Sequence, residues 1–129
     1  MGKGGVCVVA CGAWWGDQWV SVSYFLSTVG RLLICGSYAA SKAGLQGMMK
    51  SLATKHAKDG ITVNDVAPAM IGETGLIPDE RVLVGTPGDV KNIPVGRLGT
   101  PAEVANVVLM FCQTGYLTGQ SVLLSGGLK

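Results

Sequence analysis

Charge is scarce in this chain. Asp, Glu, Lys and Arg make up 14% of the residues against 48% hydrophobic ones, and the formal net charge is only +2. So small a basic excess leaves no electrostatic footprint for nucleic acid or an anionic membrane. So apolar a chain is not a disordered one either. Histidine is nearly absent: the one copy, His56, lies far from Cys7 and Cys11, whose C-x3-C spacing has no second pair, so no metal site is expected. Apolar content sufficient for a core argues against a disulfide scaffold. The four cysteines, Cys7, Cys11, Cys35 and Cys112, read as buried free thiols of a reducing, cytoplasmic compartment. Long apolar runs are also lacking. VCVVA at 6–10 is shorter than the ~7–15-residue core of a signal peptide. The apolar stretch 19–35 is interrupted by Ser21, Ser23, Ser27, Gly30 and Arg31 and falls short of the about 20 apolar residues of a membrane span.

What is present fits one small α/β domain in 129 residues. GGVCVVA at 4–10 reads as a short buried strand entered through a glycine turn. Residues 11–36 hold all three tryptophans and keep no clean period, although VSVSYFL at 20–26 begins with strand-like alternation. From Ser37 the pattern is orderly. Leu45, Met48, Met49, Leu52 and Ala53 form a helical stripe within 38–58, with Lys50, Lys55 and Lys58 on the polar side or in the last turns and Gly60 as the stop. ITVNDV at 61–66 is a strand ended by Pro68. A Gly- and Pro-rich loop follows, longer than the ~12–15 residues of an idle connection, which predicts a binding lid. Thr100, Pro101 and Glu103 spell the start of a second helix with a capping box; Val104, Val107, Val108 and Phe111 give it an apolar face, and Gly115 stops it. SVLL at 121–124 is the last strand. Strands alternating with helices predict a parallel sheet with helices on its faces.

One pair in this frame carries chemistry. Tyr38 and Lys42 stand at i and i+4, on one face of the first helix. An ammonium beside a phenol stabilises the phenolate, so a group that titrates near pKa ~10 in isolation becomes a usable proton donor at neutral pH. Such a pair suits acid–base work on a carbonyl or an alcohol. Spacing alone also allows a partly buried tyrosine beside a solvated lysine.

The surroundings of the pair add to this. SYAASKAGLQGMMKSLA resembles the catalytic helix of the short-chain dehydrogenase/reductase family. GITVNDVAPAMIGET, VGRLGTPAEVANVVLMF and GYLTGQSVLLSGG resemble the segments that follow it, in the same order, so the resemblance covers residues 37–129. It is nearest to 3-oxoacyl-[acyl-carrier-protein] reductases and similar sugar or polyol dehydrogenases. It implies the C-terminal half of a doubly wound, Rossmann-like fold, with NAD or NADP as cofactor and a ketone or alcohol as small-molecule substrate. It further implies that Tyr38 gives the proton to the carbonyl oxygen and that Lys42 lowers the tyrosine pKa and binds the nicotinamide ribose. Ile71 would offer its backbone to the carboxamide, and Thr74 would touch the carboxamide or pyrophosphate. The family's usual Pro-Gly is Pro68-Ala69 here, and Gly72 lengthens the stretch before Thr74. The resemblance also implies a homo-oligomer packed through helix 38–58, where Ala39, Ala43, Leu45 and Gly47 form a second small and apolar run.

Two parts of the family pattern are not matched before residue 37. The glycine turn between a strand and a helix that holds a pyrophosphate is missing, so the fold is expected to be truncated, with 1–36 an atypical N-terminal segment and dinucleotide binding weakened. The catalytic serine stands about a dozen residues before the tyrosine in the family. Phe25 is near that spacing, and Ser27, in STVG, is the candidate; Ser37, beside the tyrosine, is a weaker substitute. In a second alignment GGVCVVACGA is the strand that ends in the serine position, Cys11-Gly12 occupy it and 13–36 is an insertion; for the strand this alignment is preferred. Two functions stay open: an NAD(P)-dependent reductase of a ketone such as a 3-oxoacyl thioester, or a catalytically inactive relative serving as an interaction subunit or a non-functional product.

Overall fold

The structure is a computed structural model that describes residues 6–7, 19–22, 36–75 and 77–128; within the first helix it describes side chains at Ala40 and from Ala43 onward. Its elements in chain order are β1 (Val6–Cys7), β2 (Trp19–Val22), α1 (Gly36–His56), β3 (Thr62–Pro68), α2 (Pro101–Gln113) and β4 (Ser121–Leu124). They form an α/β structure around one four-stranded sheet. β2 and β4 both run parallel to β3, in registers from Trp19↔Val63 to Val22↔Val66 and from Asp65↔Ser121 to Pro68↔Leu124. β1 is antiparallel to β2 through Cys7↔Trp19 and parallel to the start of β3 through Val6↔Thr62 and Cys7↔Val63.

Two N-terminal segments thus pair with β3. Val6–Cys7 is only two residues long, and the tryptophan-bearing Trp19–Val22 is the longer neighbour of β3. A segment that looks foreign by composition takes the place because its Val20–Ser21–Val22 alternation matches a strand period.

β3 is the central element, and all seven of its residues are buried. A parallel strand covered on both faces must satisfy two cores. Val63 packs against Met49 and Ala53 of α1, while Val66 packs against Phe111 of α2. Odd and even positions of a strand face opposite ways, so the two helices lie on opposite faces of the sheet. Phe111 is fully buried, and Val104, Val107 and Val108 pack around it as the sequence predicts. The capping box at Thr100 and Glu103 is present. α1 starts two residues earlier than the pattern predicts; it passes at Ala57–Asp59 into a 3-10 turn, closed by Gly60 at φ 74°. Its buried stripe is narrower than expected. Met49 and Ala53 are buried and Leu52 is partly so, but Met48 is 43% exposed, because one strand covers less of a helix than a full apolar stripe offers. Among the described residues no helix is long and apolar enough to cross a membrane.

Three buried polar positions interrupt β3: Thr62, Asn64 and Asp65. Asn64 Nδ2 donates to the Leu117 carbonyl at 2.7 Å, and its Oδ1 accepts the Gln120 N–H at 3.1 Å. Thr118 Oγ1 accepts the Val63 N–H at 3.0 Å, and Ser121 Oγ donates to Asp65 Oδ2 at 2.7 Å. These bonds fasten the turn before β4 to β3 and so fix the register of the last strand.

Candidate active site

Short connections and helix geometry set the direction of α1. It ends next to the start of β3, so it runs antiparallel to the strand. Ala53 and Met49 lie over Val63, and Gln46 shares a cleft of about 200 Å³ with Ala67, Ser121 and Leu123. Tyr38 is eight residues before Gln46, or about 12 Å further along the helix axis at ~1.5 Å per residue. That places Tyr38 beyond Pro68, past the C-terminal end of β3, and Lys42 one turn back toward the strand. Their side chains lie outside the described ones. Ser27 and the alternative Cys11-Gly12 lie outside the described residues altogether.

The chain leaving β3 runs into a loop tied to the segment before α2. Ile71 makes an isolated parallel bridge with Gly99. The Gly99 N–H donates to the Met70 carbonyl and the Gly72 N–H to the Gly99 carbonyl, each at 2.9 Å. In a parallel bridge these flanking groups carry the bonds, so the N–H and carbonyl of Ile71 itself face away from Gly99. The approach is close: a Cβ at 99 would stand 2.7 Å from Ile71 Cδ1, so the end of that side chain would have to shift. No hydrogen-bond acceptor for the Ile71 N–H lies among the described residues.

Thr74 bonds within its own loop. Its hydroxyl donates to the Ile71 carbonyl at 3.2 Å and accepts the Ile77 N–H at 3.0 Å, so it is engaged within the loop. Glu73, at φ 56°, is a non-glycine residue in the left-handed region.

The lid is ordered by its own polar groups. Asp79 caps one 3-10 turn, Glu80–Leu83, and Asp89 caps another, Val90–Asn92. The Gly85 and Lys91 N–H groups, with the Lys91 charge, hold the Asp89 carboxyl below its ordinary range. Val82 and Val84 of the lid and Val95 just beyond it are exposed. At the far end the Val95 N–H donates to the Gly126 carbonyl at 3.1 Å, and Leu128 packs with Ile93 and Ala69.

A second cavity, of about 220 Å³, is lined by Met70, Ile93, Arg97, Glu103, Leu124 and neighbouring residues. Leu124 and Glu103 belong to the α2 side of the sheet, so this cavity is not shared with the face that carries α1. Arg97 and Glu103 close it with a two-pronged pair at 2.7 and 3.0 Å. That guanidinium, then the Thr100 N–H, lowers the Glu103 carboxyl to about 2. Among the described residues no cluster of His, Cys, Asp and Glu could hold a metal. The clamp of Asn64 on Leu117 and Gln120, the Ile71–Gly99 bridge and the Arg97–Glu103 pair carry no motif in the sequence. The one available signal was the Asn64-Asp65 polar pair within an otherwise apolar strand.

Comparison with known proteins agrees with this arrangement. The family model described as enoyl-(acyl carrier protein) reductase matches residues 15–129. Carbonyl reductase family member 4 of Danio rerio is 44% identical over 92 residues, covering 71% of this chain and 37% of that protein. The 3-oxoacyl-[acyl-carrier-protein] reductase FabG of Vibrio harveyi is 39% identical over 110 residues, covering 79% of this chain and 43% of that protein. The crystal structure of acetoin dehydrogenase YohF from Salmonella typhimurium superposes with a TM-score of 0.63 at 31% identity, over 83% of this chain and 40% of that one. An apo SCOR enzyme from Clostridium thermocellum gives 0.66 at 27% identity with the same coverage. The chain thus spans about two fifths of the length of the relatives it matches. The match from residue 15 onward, which includes Trp19–Val22, and the shared sheet and helices establish that the chain belongs to the short-chain dehydrogenase/reductase family of oxidoreductases.

Proposed function

We propose that the chain carries the proton-donating side of an NAD(P)-dependent ketone reductase, as the C-terminal part of one Rossmann-like domain. The observation that supports this most is that the Tyr38 end of α1 lies toward the C-terminal end of β3, the end from which the chain runs on to Ile71. A bound dihydronicotinamide would supply the hydride. Tyr38 would give its hydroxyl proton to the carbonyl oxygen as charge develops there, and Lys42, one turn along, would stabilise the phenolate left behind. Ile71 would fix the nicotinamide by its backbone N–H. The substrate read from the relatives is a 3-oxoacyl thioester, for which the exposed Val82 and Val84 of the lid offer an apolar surface to the tail. α1 further presents Ala40, Ala43, Gly44 and Gly47 on one exposed, small-residue face, which supports packing against a second copy.

The test is turnover of a 3-oxoacyl thioester with NADPH or NADH by the protein and by Tyr38→Phe. The substitution removes one hydroxyl, so turnover is expected to fall to background while circular dichroism stays unchanged. Undiminished turnover in Tyr38→Phe would sink the assignment.

A further inference from the structure

We propose that the Met70 thioether is a latch that holds the lid to the body of the protein, and that its oxidation to the sulfoxide by a peroxide releases the lid. From Pro78 to Asn92 one residue alone is buried, Gly88. Outside its chain neighbours, the three heavy atoms nearest to where a Gly88 Cβ would stand all belong to Met70: Cε at 2.8 Å, Sδ at 2.9 Å and Cγ at 3.5 Å. The end of the methionine thus fills the space that a side chain at 88 would take. Met70 follows directly on β3. Its carbonyl accepts the Gly99 N–H at 2.9 Å and its side chain packs with Ala69, Ile93 and Leu128, so the latch is mounted on the sheet and not on the lid. The lid around Gly88 is tied within itself. The Gly85 N–H donates to Asp89 Oδ2 at 2.9 Å, the Gly88 N–H to Thr86 Oγ1 at 3.2 Å and Asn92 Nδ2 to the Thr86 carbonyl at 3.3 Å. Those bonds travel with the segment when it lifts, whereas the seat on Met70 is lost. Met70 is only partly buried and lines the cavity of about 220 Å³, which gives a peroxide access to the side chain. Sulfur attacks one peroxide oxygen, the S–O bond forms as the O–O bond breaks, sulfur gives up two electrons and hydrogen peroxide leaves as water. The sulfoxide is larger by one oxygen and polar. Contact with Gly88 leaves no room for that oxygen, and the Gly88 N–H, the nearest donor, is already spent on Thr86. A polar oxygen buried without a donor is unfavourable, so the oxidised side chain leaves its seat.

The experiment follows hydrogen exchange of the Gly88 amide before and after treatment with hydrogen peroxide, with the oxidised methionines identified by peptide mass spectrometry. Sulfoxide at Met70 should speed the exchange about tenfold, the size expected when one or two buried methylene-sized groups leave a contact. Reduction by the two methionine sulfoxide reductases, one for each epimer, should restore the slow rate. Met70→Leu keeps an apolar side chain and has no sulfur to oxidise. Its Gly88 exchange should be the same before and after peroxide, although Met48, 43% exposed, is oxidised in both proteins. Equal acceleration in Met70→Leu and in the unmodified protein would overturn the inference, because another methionine would then be the cause. Complete oxidation of Met70 with unmoved exchange would overturn it as well, and so would a Met70 that stays a thioether while Met48 is fully converted. None of these readings uses a nucleotide or turnover, so their failure leaves the reductase reading standing.

Discussion

Replacing Asn64 tests the clamp that sets the last strand. The side chain is fully buried and makes two bonds, donating to the Leu117 carbonyl at 2.7 Å and accepting from the Gln120 N–H at 3.1 Å. Asn64→Ala removes both at once and leaves two backbone groups without a partner. Both groups are part-buried, and a bond of this kind is worth a net of about 0.5–1.5 kcal/mol, more where water is kept out, so a loss of ~1–3 kcal/mol is expected, read from urea unfolding followed by circular dichroism. A sharper version is Asn64→Asp, which preserves shape. As a carboxylate it still accepts from Gln120, but it faces the Leu117 carbonyl with a lone pair and buries a charge. Protonated, it can donate to Leu117 as the amide did. Folding should therefore raise the pKa of this new carboxyl above the ~3.9 of an unfolded Asp. A raised carboxyl pKa means that the native state binds more protons than the unfolded one between the two values, so stability falls as pH rises. Asn64→Asp should accordingly lie close to the parent near pH 4 and drop away toward pH 7, where the parent does not. A pH-independent deficit in Asn64→Asp, or a loss below ~1 kcal/mol in Asn64→Ala, would refute the clamp.

Glu103 leads to the opposite pH effect. Its folded pKa is depressed from 4.5 to about 2, so the stability it brings is present above 4.5 and is lost as pH falls through that window toward 2; Glu103→Gln should flatten the acid limb of a thermal-melt series, and an unchanged limb would exclude the Arg97 pair as its source. The exposed small face of α1 leads to a test by sedimentation. Ala43→Glu places a charge on that face without touching Met49 or Ala53, and it should shift an associated species toward monomer at micromolar concentration. A monomeric parent would remove the basis for this interface.

Much of the scaffold is legible in sequence because it rests on local rules. The capping box at Thr100 and Glu103 and the stop at Gly60 are written in neighbouring residues, whose side chains and backbone bond one another within a turn. β4 is placed at its observed residues, and the Val104–Phe111 face packs as its spacing predicts. Tyr38 and Lys42 are found because i and i+4 share a helix face whatever the rest of the chain does. Other features depend on which segments meet. Nothing local tells that both Val6–Cys7 and Trp19–Val22 pair with β3; cross-strand registry decides it. Met48 fits the helical stripe and stays exposed, because the width of the covered face is set by the sheet and not by the helix. The use of Thr74 could not be read from its place in a motif. A hydroxyl bonds whichever group the folded loop brings within about 3 Å, and here the loop returns it to Ile71 and Ile77. The sequence by itself determined the helices, their caps and the spacing of the Tyr–Lys pair. Only the tertiary structure decided the neighbours of β3, the Ile71–Gly99 bridge and the Asn64 clamp, since those bonds join residues more than 25 positions apart, for which the linear order carries no distance.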